Sequence, residues 1–379
     1  MLTVCYFGTY RSEYSRNQIM IEGLRRAGVT VIECHEQLWH GIDDRERIAS
    51  GGWINPYFWW RILLTYARLI MRYRTVDKHD IVIVGYPGQL DVFIAWILCL
   101  IYRKPLVWDI FMSIYLIALE RGLDRKSKAS IRLLRWLEQV ACRLPDRLIL
   151  DTEAYVSWFI STYGSAADNF RIVPTGADDR VFQPSANTVI HNGCWRILYH
   201  GSFIPNHGVL HIIEAARLLA DNTLIQFELI GTGPERDRAR ELAKQYNLNN
   251  VTFIEWLEKK TLAARVARAH ICLGSFGTTP QSLMTIQNKI YEALGLGKSV
   301  ITGDSSTVRS VFEHKKHLYI CHRENPLSLA QAIIELQGNP ELCKTLAAEG
   351  HKLFMERFTI AKIGALFKQH LIELLRFST

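Results

Sequence analysis

Lys289 and Glu292 stand three residues apart in QNKIYEALGLGKSVITGD, residues 287–304. If Asn288 or Thr285 starts a helix that Gly295 or Gly297 ends, both side chains lie on one face near its N-terminus. A lysine and free helix amides hold a diphosphate, and a carboxylate one turn on accepts both hydroxyls of a ribose. The same spacing also serves an ordinary surface ion pair. A second run, YHGSFIPNHGVLHIIEAARLL at 199–219, ends an apolar stretch on Gly201, passes through His207 and enters an amphipathic helix at Gly208. Glycine backbone before a helix N-terminus suits an anion, although strand-to-helix turns favour glycine in any case. GTGPER, 231–236, follows an apolar strand and opens a helix. Arg236 takes the third glycine position of a dinucleotide fingerprint, so an oxidoreductase is rejected, while Gly231 and Gly233 remain candidates for a phosphate or ribose pocket.

In the first half, Asp109 ends the strand PLVW and is placed facing a cleft, or else caps the helix that follows. His35, His40, His200 and His207 lack metal-ligand spacing with any other His, Asp or Glu, so no protein-held metal is expected.

These residues need elements to position them. At 379 residues the chain is too long for one ordinary core, so two domains are expected. Hydrophobic residues at 49% and charged residues at 22% describe a folded globular protein. Apolar runs at 2–7, 29–34, 81–87, 105–109, 146–152 and 172–179 alternate with helical stretches, including 16–27 and 128–142. Residues 182–194 lose periodicity and are placed as a linker between a domain 1–181 and a domain 195–354. In the second domain WRILYH, QFELIG, NVTFIEW, HICLGSF, KSVITG and HLYIC form six strand candidates separated by helices, and a long helix is expected near the end, within 355–379. That alternation implies doubly wound parallel α/β sheets, whose ligands sit at the carboxyl ends of the strands.

A net charge of +8 fits an acidic partner. No motif marks a nucleic-acid reader, so no nucleic acid is expected. Eight scattered cysteines without CxxC pairing read as buried thiols of a reducing compartment. The opening MLTVCYFGTY is a strand, not a signal peptide, which points to the cytoplasm. VFIAWILCLIY, 92–102, is too short to span a membrane and reads as a buried helix. WINPYFWWRILLTYARLIMRYR, 53–74, joins Trp53, Tyr57, Phe58, Trp59 and Trp60 to four arginines with no acid. It suits peripheral association with an anionic membrane, or a core helix with an arginine-rich outer face. The basic run Arg121–Arg147 reads as a solvated helix face.

Taken together, CYFGTYRSEYSRN, IVPTGADDRVFQP, HGSFIPNHGV, ELIGTGPERDRARELA, NVTFIEWL and QNKIYEALGLGKSVITGDS resemble, in order and spacing, glycosyltransferase family 4 of the GT-B fold. The resemblance implies two Rossmann-like domains facing across a cleft, with a final helix crossing back onto the first. It implies a hexosyltransferase that moves sugar from a nucleotide-sugar donor to a glycan or lipid-linked acceptor with retention, in cell-surface polysaccharide biosynthesis and without a cofactor. Carried over residue by residue, Gly201, Ser202, His207 and Gly208 lie against the donor diphosphate, joined by Gly231, Gly233 and Asn288. Lys289 holds the phosphates and Glu292 the ribose, and backbone at Glu255, Trp256 and Leu257 meets the base. Asp109 and Lys289 take the catalytic positions, and Gly8, Thr9, Tyr10, Arg16 and Asn17 the acceptor side. An epimerase-like enzyme on the same fold and a catalytically idle sugar-nucleotide-binding scaffold are the competing readings. Three positions depart from the family. His207 stands where relatives often carry Lys, Ser202 and Phe203 where they carry Arg, and Met284 where the first Glu of an E-x7-E pair belongs. The last departure matches a subgroup with an N-K-x-x-E pattern.

Overall fold

The computed structural model describes residues 1–38, 55–184 and 193–377. His40, Trp53 and most of the expected linker, 185–192, lie outside the described residues. The chain forms two compact units, one of Met1–Thr175 with Ile360–Thr379 and one of Gly176–Thr359. The division thus falls before the expected linker. Phe182, at the start of that aperiodic run, is buried in the second unit's core.

In the first unit β1 (Thr3–Gly8), β2 (Thr30–His35), β3 (Ile81–Val84), β4 (Leu106–Asp109), β5 (Arg147–Leu150) and β6 (Phe170–Ile172) form one sheet in the order β2-β1-β3-β4-β5-β6. Every pairing is parallel. β3 and β4 are buried along their whole length, which is why they read as unbroken apolar runs. The sixth strand lies ahead of the expected run 172–179: it covers Phe170–Ile172 and stops before Pro174. Helix Ile360–Phe377 belongs to this unit and packs on helix Ser15–Arg26 so closely that a Cβ on Gly364 would stand 1.8 Å from the Gly23 carbonyl oxygen. It is a separate helix from Pro340–Arg357, with the break at Phe358–Thr359.

The second unit holds β7 (Trp195–His200), β8 (Ile225–Ile230), β9 (Val251–Ile254), β10 (Ile271–Leu273), β11 (Ser299–Gly303) and β12 (Tyr319–Cys321) in the order β12-β11-β10-β7-β8-β9, again all parallel. Strand order reverses between β1 and β3 in the first sheet and between β7 and β10 in the second. Those switch points open crevices at the carboxyl edges, where such sheets bind ligands.

Six cysteines are buried, while Cys194 and Cys343 are only half-buried. Helix Asp91–Tyr102 corrects the expectation of a buried helix. It packs one side on the sheet through Val92, Ala95, Leu98 and Cys99 and leaves Ile97, Leu100 and Ile101 in solvent.

Candidate functional site

The switch point of the second sheet brings together the loops after β7 and β10. Gly208 adopts φ +63°, and a Cβ there would lie 2.6 Å from the Gly277 nitrogen. Phe276 N–H donates to the His207 carbonyl at 2.9 Å, and Asn206 O accepts from Ser282 Oγ at 2.5 Å. Only glycine lets these backbones touch. Gly231 and Gly233 serve the same end on the other side of β7. A Cβ on Gly231 would stand 2.1 Å from the Gly201 carbonyl oxygen, and one on Gly233 2.6 Å from the Phe203 nitrogen. Their glycines fit loop to loop.

Helix Asn288–Gly295 presents its N-terminus to this region, with Gln287 at the cap position, whose side chain accepts no hydrogen bond from the helix amides. First-turn amides are therefore left without a side-chain acceptor. Lys289 is buried, at 6% exposure, yet its Nζ has no hydrogen-bond partner. The ammonium lies 4.1 Å from the centre of the Tyr199 ring and within 3.0 Å of where a Cβ on Gly201 would sit. Burial pushes the Lys289 pKa well below its ordinary value, against the pull of Glu292. Glu292 faces His200, whose Nδ1 is 3.6 Å from its Oε2. Burial raises Glu292 to about 7, with Lys259 and Lys289 pulling it down. His200 is held neutral, lowered to about 3 by burial and then by Lys289. Its Nε2, Gln287 Oε1 and Thr285 Oγ1 are further buried polar atoms without a hydrogen-bond partner. Buried polar atoms are paired as a rule, so orphans in these neighbouring segments mark a place built for a polar ligand.

Tyr199, which the sequence reading missed, organises the loop. Its hydroxyl donates to the Ser202 carbonyl at 2.7 Å and lies 2.9 Å from His207 Nδ1. His207 Nδ1 is itself 2.6 Å from that carbonyl, which assigns its proton to Nδ1 and leaves Nε2 a lone pair in the neutral ring. Burial and then Lys289 drive the His207 pKa well below its usual value. His207 therefore does not replace the missing lysine as a resident cation. The one available signal was the Tyr-His end of β7, where alternation puts successive side chains on opposite faces. Arg323 was also missed. It ties the loops after β10 and β11 together, donating to the carbonyls of Gly277 at 2.5 Å and Asp304 at 2.6 Å, and to Ser282 Oγ at 2.9 Å.

At the edge of β9, Glu255 and Trp256 are exposed and Leu257 packs partly on the core. The Glu255 side chain pairs with Arg236 at 2.6 Å.

The first unit departs from expectation. Asp109 is wholly buried, and Arg16 Nη2 and Nε reach it at 2.7 and 3.0 Å. Arg16 also donates to the Val173 carbonyl at 2.7 Å. A carboxylate gripped by a guanidinium fork inside the core has both oxygens engaged by the fold, a geometry that speaks against the catalytic position expected for Asp109. The acceptor-side set fares alike. Thr9 donates to Asp91 through N–H and hydroxyl, at 2.8 and 2.9 Å, and a Cβ on Gly8 would strike the same carboxylate. Tyr10 donates to Glu33 at 2.8 Å. Asn17 bridges the Arg11 and Tyr86 carbonyls at 2.9 and 2.8 Å. These side chains build the loop from within. Asp151, just after β5, is the contrasting acid: its Oδ1 has no hydrogen-bond partner, and burial raises it to about 7 against the pull of Arg16.

His35 Nε2 is 2.6 Å from the Tyr10 carbonyl oxygen, a structural contact. Among the described residues no three His, Cys, Asp or Glu side chains cluster as metal ligands.

Residues 185–353 match the family model of glycosyl transferases group 1. A lipopolysaccharide core biosynthesis glycosyltransferase of Rhizobium meliloti is 26% identical over 160 residues, 42% of this chain and 44% of that protein. An uncharacterized glycosyltransferase of Methanocaldococcus jannaschii is 27% identical over 165 residues, 44% of each chain. The match therefore spans less than half the length of either curated relative. Among solved structures, sucrose-phosphate synthase from Thermosynechococcus elongatus aligns with 99% of this chain and 100% of its own, at 15% identity and a TM-score of 0.76. Anabaena HepE, in complex with UDP and glucose, aligns over 98% and 100%, at 16% identity and a TM-score of 0.71. These likenesses establish the fold: GT-B, with two Rossmann-like α/β domains.

Proposed function

We propose that the chain is a nucleotide-sugar-dependent glycosyltransferase whose donor binds at the carboxyl edge of the second sheet. The observation that carries this reading is Lys289: a buried ammonium without a hydrogen-bond partner, beside Gly201 and one residue inside a helix N-terminus. A diphosphate there gains a cation and helix amides, and its negative charge offsets what burial costs Lys289. Glu292, one turn on, accepts the ribose hydroxyls. Three findings support the reading: the group 1 match covers this region, both curated relatives are named glycosyltransferases, and HepE was solved with UDP and with UDP-glucose.

In the reaction, the bond from the anomeric carbon to the diphosphate oxygen breaks and a bond to an acceptor hydroxyl oxygen forms. Lys289 and the helix amides stabilise charge growing on the leaving oxygen, an interaction stronger in the transition state than in the ground state. The acceptor's proton passes to the departing diphosphate, which suits retention of configuration and needs no protein base. That fits a chain in which Asp109 is sealed by Arg16. The acceptor is a glycan or a lipid-linked saccharide of the cell surface, as the name of the Rhizobium relative suggests. No cofactor is needed beyond the sugar nucleotide.

The test is a thermal-shift panel of nucleoside diphosphates and their sugars, followed by product analysis with and without acceptor. A ligand that prefers the folded state raises the melting temperature. Stabilisation by one nucleoside diphosphate, lost in Lys289→Ala, together with acceptor-dependent sugar transfer is the expected result. A changed free sugar nucleotide without acceptor indicates an epimerase instead, and binding without any turnover indicates a scaffold.

A further inference from the structure

We propose that His207 reads the sugar of the donor and not its phosphates: Nε2 of the neutral ring accepts a hydrogen bond from a sugar hydroxyl. The inference rests on the donor reading above and names the substrate class of that site, a neutral, hydroxyl-bearing sugar. Two contacts fix the ring. Its Nδ1 lies 2.6 Å from the Ser202 carbonyl oxygen and 2.9 Å from the Tyr199 hydroxyl, which itself donates to that carbonyl at 2.7 Å. A carbonyl only accepts, so the short Nδ1 contact requires a proton on that nitrogen. Nε2 makes no hydrogen bond to any described residue, and the ring is only half-buried, so this nitrogen is the one left for a ligand.

Positive charge on every side keeps a proton off Nε2. His207 precedes Gly208, which starts helix Val209–Leu218 without a side-chain cap, so the positive end of that helix dipole lies beside the ring. Burial, then Lys289 from helix Asn288–Gly295, and last His200 at the end of β7 push the His207 pKa well below its ordinary value, with only the Ser202 carbonyl opposing them. Such a ring is a hydrogen-bond acceptor and a weak base. Phosphate oxygens are acceptors as well and are repelled by its lone pair, so the diphosphate falls to Lys289 and the helix amides. Nor does the ring take a proton from the acceptor substrate, because a base works best with a pKa near the working pH. What it binds is a donor group. The donor reading gives the ribose to Glu292 and the base to the edge of β9, which leaves the hydroxyls of the transferred sugar. A uronate carboxylate in the same place would meet the lone pair and be turned away. Tyr199 is the positioning residue here: its hydroxyl shares the Ser202 carbonyl with Nδ1, and its ring lies 4.1 Å under the Lys289 ammonium.

The test is calorimetric titration of the full chain at neutral pH without acceptor, comparing UDP with UDP-glucose and UDP-glucuronate, GDP with GDP-mannose, and ADP with ADP-glucose. Wild type is expected to bind one hexose nucleotide more tightly than the matching diphosphate, and to discriminate against the glucuronate. His207→Phe keeps a ring and removes the acceptor, and should weaken the hexose nucleotide about tenfold more than the diphosphate. His207→Lys puts a cation in its place, and should tighten the diphosphate while relaxing the bias against the glucuronate. Tyr199→Phe leaves a ring under Lys289 but unpins Nδ1. It should narrow the gap between hexose nucleotide and diphosphate, whereas a merely structural loss would weaken both ligands alike. Should His207→Phe not fold, the lysine variant and Tyr199→Phe carry the test. Equal loss of diphosphate and hexose nucleotide in the His207 variants, or an unchanged gap between them, would overturn the inference and leave the donor reading standing. A wild type that binds none of these nucleotides would overturn both.

Discussion

Arg16 and Lys289 are both buried cations at the carboxyl edge of a parallel sheet, one in each unit, and their surroundings are opposite. Arg16 is matched nitrogen by nitrogen: Asp109 takes its fork at 2.7 and 3.0 Å, and the Val173 carbonyl accepts from Nη1 at 2.7 Å. Lys289 has a tyrosine ring beneath it and nothing accepting its protons. Desolvating a charge costs several kcal/mol, so an isolated ammonium is held only where something else is to be gained. The first cluster is closed and spends its charge on the fold. The second leaves its charge without an acceptor, the part that the proposed diphosphate would take. Exposure alone does not separate them, because both cations are buried. Partner inventory does.

The comparison is easiest to break at Asp109. Asp109→Ala leaves Arg16 buried and unpaired, so urea unfolding should show a loss of about 3–5 kcal/mol. A variant of normal stability with abolished turnover would instead restore Asp109 as a catalytic group. Lys289→Ala should behave in the reverse way. Transfer should fall by about 10²–10³-fold in kcat, while the melting temperature holds or rises because an uncompensated charge has gone. A large loss of stability without loss of turnover would make Lys289 structural.

A smaller effect tests the cradle. Gly208→Ala places a side chain at φ +63° against Gly277, and should cost about 1–3 kcal/mol in a denaturant titration and weaken nucleotide binding with it. If the variant is neutral, the two loops are not held as close as the structure has them.

The smallest effect is in pH. Burial raises Glu292 and Asp151 to about 7, above the ordinary values of 4.5 and 3.8. Between about pH 4.5 and 7 the folded chain thus keeps protons that the unfolded chain has released. The contribution of each of these two carboxyls should therefore be greatest at the acid end and decline through pH 7, on the order of 1–3 kcal/mol per site, while His200, lowered to about 3, contributes with the opposite sign below about pH 6.5. Glu292→Gln should flatten its share in thermal melts between pH 5 and 8. An unchanged slope would mean that Glu292 titrates as if exposed.

Much of this was legible in the chain. Unbroken apolar runs such as IVIV at 81–84 announce parallel strands covered on both faces, and the N-K-x-x-E spacing put Lys289 and Glu292 near a helix start. The division between units falls after Thr175, ahead of the run 182–194 taken for a linker, and Phe182 at the start of that run is core, which loss of periodicity does not reveal. Helix Asp91–Tyr102 was misjudged for a related reason: an apolar composition says how much surface would gain from burial, not whether anything is there to cover it.

The sequence by itself determined what is local or periodic: two sets of six strands with helices between them, the glycines at the strand ends, and a cation three residues before a carboxylate. Tertiary structure alone decided which charges have partners. Arg16 and Asp109 are 93 residues apart, and Tyr199 lies 90 residues before the lysine it underpins. No spacing rule spans such distances, because the contact exists only once the strands have taken their order in the sheet. Whether a buried charge is spent or kept is a property of that order.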